Sequence, residues 1–148
     1  MVDVHIKKLD ERAVIPEKGT DRSSGFDLYA IIDDQVGTVI KPGETAIIHT
    51  GIAIETPDGY FAAIAARSGI SIKRGLRPAN CIGVIDPDYR GEVLIGIHND
   101  SNRIELIENG ERIAQLIFIP YLGVNFVEVD ELDNTERGEG GLGSTGRK

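Results

Sequence analysis

The fold class follows from residues 93–98, which read VLIGIH. Val93, Ile95 and Ile97 occupy alternate positions, and a period of two places their side chains on one face of an extended chain. This pattern predicts a half-buried strand rather than a helix. The same period recurs at Val2, Val4 and Ile6, at Ala46 and Ile48, at Ile52 and Ile54, and at Ile104 and Leu106.

Turn residues separate these alternating segments. The chain contains 18 Gly and 6 Pro, spread so that the pieces between them are too short for a helical bundle. Turn-forming groups lie at Pro42-Gly43, Pro57-Asp58-Gly59, Pro87-Asp88 and Asn109-Gly110. Short strands separated by turns at intervals of roughly 8–12 residues are typical of a β-sandwich or barrel. The sequence therefore predicts an all-β, antiparallel fold.

One short helix is predicted within this β framework. Ser68 is a favourable N-cap residue, and the predicted helix follows it through residues 69–74. Gly75 then provides a stop signal.

Composition limits the classes of protein to which the chain belongs. Its 148 residues suit a single domain with its own core, and 41% hydrophobic with 27% charged residues is a globular composition. The formal net charge of −8 argues against a broad nucleic-acid or anionic-membrane surface, so a bound anion needs a local basic pocket. Cys81 is the only cysteine, which excludes an intrachain disulfide and favours a reducing compartment. With no signal-like or membrane-length apolar segment in the sequence, we expect a cytoplasmic protein without membrane or nucleic-acid partners.

The end of the chain differs from the rest in composition. Residues 137–148 contain five glycines and a single large apolar side chain, too little to hold a folded structure on their own. We therefore predict a folded β domain over residues 1–136 and a flexible arm over residues 137–148.

Residues 138–143 of this arm match the pattern G-x-G-x-x-G, which also marks dinucleotide-binding loops. That function requires a preceding strand and a following helix, and only five residues follow the match. Two interpretations stay open. The arm is either an unstructured tail or a flap that closes over phosphates through its backbone N–H groups, Arg137, Ser144 and Thr145.

Three further segments each allow a structural and a functional interpretation. Residues 86–91 form either a plain hairpin turn or a turn that presents Asp86 as a general base and Tyr89 as a flat face for a sugar or base. Residues 67–69 are either a helix cap or an anion site. Residues 24–30 are either a bend or the place of a carboxylate near a metal. The three histidines share no metal-ligand spacing.

Taken in order, these segments resemble the five motifs of the homotrimeric dUTP nucleotidohydrolases, the dUTPases, from about residue 23 to residue 148. The matching segments are residues 24–30, 67–71, 80–91, 111–116 and 137–148. The resemblance implies a jelly-roll-like subunit in a homotrimer. It also implies hydrolysis of dUTP to dUMP and pyrophosphate with Mg²⁺, which limits uracil incorporation into DNA and supplies dUMP for dTMP synthesis.

The resemblance also assigns roles to residues. Asp86 matches the general base that activates water for attack at the α-phosphorus, and Asp27 matches a carboxylate that holds Mg²⁺ through water. The residues that match phosphate donors are Arg67, Ser68, Gly69, Gln115, Arg137, Ser144 and Thr145. The residues that match the nucleoside pocket are Asn80, Gly83, Val84 and Ile85 for uracil, Tyr89 for deoxyribose, and Leu142 with Gly143 for the cap over the base. In the family the third motif is a hairpin whose narrow backbone rejects a 5-methyl group.

Two positions depart from the family pattern. Leu142 stands where Phe is usual, so the expected flap lacks aromatic stacking on the base. Ala66 stands where Pro is common, and we expect that change to be minor.

Three other functions fit the sequence less well than dUTP hydrolysis. A dCTP deaminase of the same fold is disfavoured because Gly96 stands where that branch has a catalytic Glu. A regulatory module that binds dUTP without cleaving it and a purely structural jelly roll are both disfavoured by the presence of Asp86, Arg67 and Arg137.

Overall fold

A computed structural model describes residues 2–33 and 36–141, and their secondary structure is almost entirely β. The elements are β1 His5–Lys8, β2 Glu17–Lys18, β3 Phe26–Tyr29, β4 Thr38–Ile40, β5 Thr45–Ile48, β6 Ile52–Glu55, β7 Tyr60–Ala65, α1 Ser68–Arg74, β8 Leu76–Pro78, β9 Gly83–Ile85, β10 Ile95–Asn99, β11 Glu105–Ile107 and β12 Arg112–Pro120. The predicted all-β class with one short helix is confirmed.

The largest sheet has the strand order β2-β3-β12-β7-β9, with every neighbouring pair antiparallel. β12 is the longest strand, and its register fixes the relation between three distant segments. Gln115 lies opposite Asp27 on β3 and opposite Ala65 on β7. Gln115 therefore lies beside two residues that precede it in the sequence by 50 and 88 positions.

Three smaller sheets complete the framework: β5-β10-β8, β1-β6 and β11-β4. Their inward side chains pack against those of the large sheet in a continuous core. The most completely buried members include Leu28, Ile40, Ile48, Ile52, Leu76, Ile95, Ile97, Ile107 and Ile113. Each such side chain contributes about 1.5–3 kcal/mol when it is removed from water.

The alternation at Val93, Ile95 and Ile97 is confirmed, since all three side chains are buried. The alternation at Ile104 and Leu106 also marks a strand, β11, but it is the other set of alternate residues in this strand that points into the core. Ile104 is 65% exposed, whereas Glu105 and Ile107 are buried.

The inward orientation of Glu105 has an electrostatic cause. Arg74 donates from Nε to Oε2 of Glu105 at 2.6 Å and also pairs with Glu111. A carboxylate is tolerated at this depth because it is paired and hydrogen-bonded. The sequence period could not reveal the pairing because Arg74 lies 31 residues away.

The helix is confirmed, but its predicted cap is wrong by one residue. The N-cap is Arg67, in extended conformation, and Ser68 is the first helical residue; the Arg67 side chain makes no capping hydrogen bond. Gly75 ends the helix as predicted, with φ of 70° and its N–H directed to the carbonyls of Ile70 and Ser71.

The segment from residue 86 to residue 91 begins with the predicted turn, in which the N–H of Tyr89 donates to the carbonyl of Asp86 at 3.2 Å. Its interpretation as a hairpin is wrong. β9 pairs with β7, whereas β10 pairs with β5 and β8, so the segment crosses from one sheet to another.

The chain after β12 lies outside the sheets. Residues 121–141 form neither strand nor helix and are almost entirely exposed, with Phe126 at 95%. The other large apolar side chains exposed there are Tyr121, Leu122, Val124, Val127, Val129 and Leu132. The domain boundary after residue 136 stays a prediction. Across the described ranges, none of the helical structure is long and apolar enough to cross a bilayer.

Candidate active site

An open cleft of about 250 Å³ lies at the junction of β3, β12 and the start of α1. It is lined by Gly19, Ser23, Gly25, Asp27, Arg67, Ser68, Gly69, Arg112 and Gln115. The structure thus brings together the first, second and fourth of the five segments identified in the sequence.

Gln115 occupies the centre of the cleft wall, and its side chain is fixed from two sides. Nε2 donates to the carbonyl of Ala66 at 2.8 Å, which ties β12 to the segment before α1. On the other side, a Cβ added to Gly25 would lie only 2.4 Å from Oε1 of Gln115. Glycine at position 25 therefore makes room for the amide.

An ionic cluster forms the floor of the cleft. Asp27 accepts hydrogen bonds from Nε of Arg67 at 2.7 Å and from Nη1 of Arg112 at 3.1 Å, with Nη2 of Arg67 a further 3.4 Å contact. Arg67 is held a second time because its Nη1 donates to the carbonyl of Arg112 at 3.1 Å. The Asp27 side chain is 14% exposed. Two guanidinium groups and one carboxylate leave the cluster with a net positive charge, which suits an anionic ligand.

Arg112 is a candidate functional residue that the sequence analysis missed. On a regular strand, residues 112 and 115 would point to opposite faces because their spacing is odd. The register of β12 against β3 shifts between Arg112 and Ala114, which marks a bulge. One extra residue reverses the alternation, so Arg112 and Gln115 share a face. The signal available in sequence was the position of Arg112 within the fourth motif.

The cleft meets the requirements of Mg²⁺ in part. Magnesium in nucleotide sites is usually bound by one or two carboxylates together with substrate phosphates and water. Asp27 is the carboxylate that lines the cleft, and its three contacts leave about one of its roughly four lone-pair sites for a water. Within residues 2–33 and 36–141, no group of three or more His, Cys, Asp or Glu side chains is arranged as a metal cage. The arrangement fits an ion bound through water and held mainly by a ligand.

Asp86 is not part of this cleft. It follows β9 and is exposed, and no residue of the segment 80–91 lines the cleft. β9 and β12 flank β7 on opposite sides, and Ile85 pairs with Ala62, toward the end of β7 remote from Gln115. Strand rise and spacing place Asp86 roughly 16 Å from Gln115. Within one chain, the carboxylate and the cationic cleft are therefore separate.

The expected uracil-reading residues lie at the edge of the large sheet. β9 is the terminal strand, so its outer backbone groups pair with no further strand in the described part of the chain. Gly83 is buried, and a Cβ there would lie 3.0 Å from Cβ of Ile64, whereas Val84 is exposed. Asn80 is exposed in the turn before β9. This edge offers backbone donors and acceptors to a planar base.

Tyr89 lies in the segment that follows this edge strand. Its hydroxyl donates to the carbonyl of Glu92 at 2.9 Å, and the side chain is half exposed. A Cβ at Gly91 would lie 2.4 Å from the hydroxyl oxygen, so glycine at position 91 permits this ring position.

The fifth segment is only partly described. Arg137 donates from Nε to the carbonyl of Gly140 at 2.8 Å within the arm itself, and it does not line the cleft. The other residues predicted in this segment lie outside the described residues: Leu142, Gly143, Ser144 and Thr145.

Comparison with known proteins gives a consistent result. A family model described as dUTPase matches residues 11–146. The deoxyuridine 5'-triphosphate nucleotidohydrolase of Hydrogenobaculum sp. (strain Y04AAS1) is 49% identical over 143 residues, covering 97% of this chain and 97% of that protein. The enzyme of the same name from Dictyoglomus turgidum is 42% identical over 146 residues, covering 99% of each chain.

Solved structures show the same similarity in three dimensions. A variant dUTPase of Staphylococcus bacteriophage 80alpha, solved with dUpNHpp, matches with a TM-score of 0.85 and 29% identity over 99% of both chains. A variant dUTPase of phage phi11 of S. aureus, described as coordinating a structural Mg(II) ion, matches with a TM-score of 0.75 and 26% identity. It covers 88% of this chain and 98% of that chain. The predicted jelly-roll-like β fold is confirmed by this similarity.

Proposed function

The chain belongs to the dUTPase family, and on that premise we propose that it hydrolyses dUTP to dUMP and pyrophosphate. The observation that carries the proposal is the cationic cleft in which Arg67, Arg112 and Gln115 converge around Asp27. The phage relative solved with dUpNHpp, an analogue of dUTP, supports the same substrate. The proposed role in the cell is to limit uracil incorporation into DNA and to supply dUMP for dTMP synthesis.

The triphosphate is bound by preset donors. Guanidinium groups pair with phosphate oxygens through parallel hydrogen bonds, and both arginines are already held in the cleft by Asp27. Ser68 and Gly69 begin α1, where backbone N–H groups have no helical partner. Gln115 contributes an amide. Donors fixed before the ligand arrives need no reorganisation when charge builds up on the phosphates.

Asp27 is the residue that would hold Mg²⁺, through an intervening water. The ion would neutralise phosphate charge and make the phosphorus more electrophilic. The relative described as coordinating a structural Mg(II) ion supports magnesium as the metal in this family.

Asp86 is the proposed general base. It would accept a proton from a water molecule that attacks the α-phosphorus, and it would later return the proton to solvent. An exposed carboxylate at a turn is free to reach such a water, and general-base assistance contributes typically 10²–10⁴-fold in rate.

A homotrimer would supply the missing proximity between Asp86 and the cleft. The roughly 16 Å between Asp86 and Gln115 within one chain supports a site shared between neighbouring subunits. The exposed apolar side chains of residues 121–132 are a second support, because a segment that leaves several large apolar side chains in water gains free energy by burying them against another subunit.

Base and sugar selection belong to the segment around β9. The backbone edge of Gly83, Val84 and Ile85, with Asn80, would read uracil and exclude a 5-methyl group, and the Tyr89 ring would pack against deoxyribose and exclude a 2′-hydroxyl. A site whose polar groups are paired only by the right substrate discriminates by up to 10⁴–10⁵-fold. The arm residues Arg137, Leu142, Gly143, Ser144 and Thr145 would close over the bound nucleotide.

Deamination of dCTP is the strongest rival activity. The deaminase branch needs a carboxylate where Gly96 stands, on β10. A Cβ added there would meet Ile47 and Ala79 at ordinary contact distances, so the position is not reserved for glycine by steric crowding. The chain nevertheless supplies no acid at that position, and water activation by Asp86 stays the better proposal.

The test is a substrate panel of dUTP, dCTP, dTTP and UTP with Mg²⁺, measured by pyrophosphate release. We expect release from dUTP alone at a high rate. Asp86→Asn should bind dUTP and lose about 10²-fold or more in kcat, whereas Asp88→Asn, in the same exposed turn, should stay within about twofold. Ammonia release from dCTP, or full activity in Asp86→Asn, would overturn the proposal.

A further inference from the structure

Glu92 has no part in the proposed chemistry, yet its carboxylate is tightly engaged. Oε1 accepts from the backbone N–H groups of Thr50 at 3.2 Å and Gly51 at 2.8 Å. Oε2 lies 2.9 Å from Nδ1 of His49. The side chain is 22% exposed, so these contacts are largely removed from water. A carboxylate that accepts from two consecutive backbone N–H groups makes strong, charge-assisted hydrogen bonds.

The three residues that hold Glu92 belong to the connection between β5 and β6. Gly51 has φ of 66° there, and a Cβ at this position would meet Ile31 at 2.4 Å, so the connection has little freedom to move. It is also fixed to the residue after Glu92, because the Thr50 hydroxyl donates to the carbonyl of Val93 at 2.6 Å. Glu92 is therefore anchored in a rigid part of the framework.

The backbone of Glu92 connects this anchored residue to Tyr89, which belongs to the segment proposed to bind the nucleoside. Its carbonyl accepts the Tyr89 hydroxyl at 2.9 Å. The other contacts of this loop are weaker supports: Arg90 donates to the carbonyls of Pro87 and Tyr89 inside the loop and reaches Glu55 at 3.2 Å on the exposed surface. Exposed ion pairs of that kind add little. The backbone N–H of Tyr89 donates to the carbonyl of Asp86 at 3.2 Å, which fixes the turn but not the ring. The peptide group that carries the Glu92 carbonyl is also held by the N–H of Val93, which donates to the carbonyl of Ile52 at 2.8 Å. The Tyr89 hydroxyl is thus held by a carbonyl that both this bond and the Glu92 carboxylate anchor.

We propose that Glu92 is a positioning residue for sugar discrimination. Its carboxylate, bound to His49, Thr50 and Gly51, fixes the carbonyl that orients the Tyr89 ring, and the ring in turn excludes a 2′-hydroxyl. The inference rests on the proposed function for the role of Tyr89. The anchorage itself does not depend on that function.

The experiment measures the ratio of kcat/KM for dUTP to kcat/KM for UTP. Glu92→Ala should lower this ratio at least tenfold, chiefly by improving the relative use of UTP. Glu92→Gln keeps an acceptor for the two N–H groups and should recover most of the ratio. Glu55→Gln removes a carboxylate that contacts the same loop from the exposed side, and it should leave the ratio within twofold of the unsubstituted protein.

A second arm separates positioning from loss of fold. Tyr89→Phe breaks the same link from the other side, so the double variant with Glu92→Ala should lower the ratio no further than the stronger single variant. ¹⁹F NMR of fluorotyrosine-labelled protein, with the Tyr89 signal assigned from Tyr89→Phe, reports ring order without any nucleotide. We expect that signal to broaden or shift in Glu92→Ala and to stay unchanged in Glu55→Gln.

The outcomes distinguish the two proposals. A ratio within twofold of the unsubstituted value in Glu92→Ala, or an unchanged Tyr89 signal, would overturn the role of Glu92, even if thermal stability fell. If the unsubstituted protein failed to hydrolyse dUTP, the proposed function would be wrong, and the NMR arm would still decide whether Glu92 positions the ring.

Discussion

Arg112 illustrates how one extra residue in a strand can direct a side chain into the candidate site. Its neighbours in sequence predict a regular strand, and only the bulge before Ala114 turns its guanidinium toward Asp27. Arg112 is also about half exposed, so it is free to take a ligand as well as its present partner. We therefore propose that it binds phosphate together with Arg67.

Replacement of Arg112 tests this assignment. Arg112→Ala should raise KM for dUTP about 10–100-fold, because a hydrogen bond to a charged group contributes about 1.5–3 kcal/mol. Arg103→Ala is the matched control, since Arg103 is exposed, donates to the backbone carbonyl of Lys73 and pairs with Glu105 away from the cleft. Steady-state kinetics decide the matter, and equal KM values for the two variants would remove Arg112 from the site.

Leu142 gives a second prediction, which rests on the family resemblance alone. Leu142→Phe should lower KM for dUTP with little change in kcat, because stacking an aromatic ring on a base contributes roughly 1–3 kcal/mol. The measurement is KM at saturating Mg²⁺. An unchanged or raised KM would show that the arm does not cap the base through this side chain.

Asp10 gives a prediction about acid stability. Its carboxylate accepts from the side chain and backbone N–H of Arg12, which lowers the pKa of Asp10 from its ordinary value of 3.8 to about 2. A lowered folded-state pKa means that the contribution is present above about pH 4 and is lost as pH falls towards 2.

The check is the thermal midpoint as a function of pH. The difference in Tm between the unsubstituted protein and Asp10→Asn should be largest at neutral pH and should shrink between pH 4 and pH 2. Arg12→Ala removes the partner and should show the same loss of pH dependence in this range. A difference that grew on acidification would have the wrong sign for this mechanism.

At the level of elements, the strands were predictable and their partners were not. The alternation at residues 93–98 marks β10, and Gly75 ends α1 as expected. The alternation of Ile104 and Leu106 predicts that these two side chains face the core, whereas Glu105 faces inward and pairs with Arg74, 31 positions away. Local patterns report burial and turns, whereas ion pairs across sheets depend on register.

The segment after β12 is the element whose role is most open to test. The described hydrogen bonds of Arg137, Gly138 and Gly140 stay within residues 135–140, so loss of residues 137–148 should leave the β domain folded. We expect that truncation to keep the proposed trimer and the Tm while activity falls about 100-fold or more, since closure of a flap excludes water.

A longer truncation is the matched comparison. Ending the chain after Pro120 also removes the exposed apolar side chains of residues 121–132, and it should yield a monomer. Solution mass separates the two outcomes. A trimer that survived the longer truncation would show that residues 121–136 do not hold the subunits together. Full activity after the shorter truncation would refute the flap.

At the level of the whole molecule, the resemblance named residues from all five segments, but it could not say which ones meet within a chain. The structure gathers Asp27, Arg67 and Gln115 in one cleft and leaves Asp86 at the far end of β7. Those distances arise from strand order, which no local motif encodes.

Mixing two inactive variants tests whether the complete site is shared. Asp86→Asn and Arg67→Ala should each be inactive alone. After the subunits are mixed and reassembled, about a quarter of the sites in a symmetric oligomer would pair an intact cleft with an intact Asp86. We expect the mixture to recover about a quarter of the dUTP hydrolysis of the unsubstituted protein. If the subunits are shown to have exchanged and no activity returns, the whole site lies within one chain.

The separation of the two ends of β7 has a consequence for a newly synthesised subunit. A lone folded chain would hold the cationic cleft around Asp27, and its own Asp86, roughly 16 Å from Gln115, would be too far away to activate a water for attack on a phosphate bound there. In the proposed trimer, enzymatic competence is therefore acquired at assembly rather than at folding, and a subunit damaged at one end still completes a neighbour with the other.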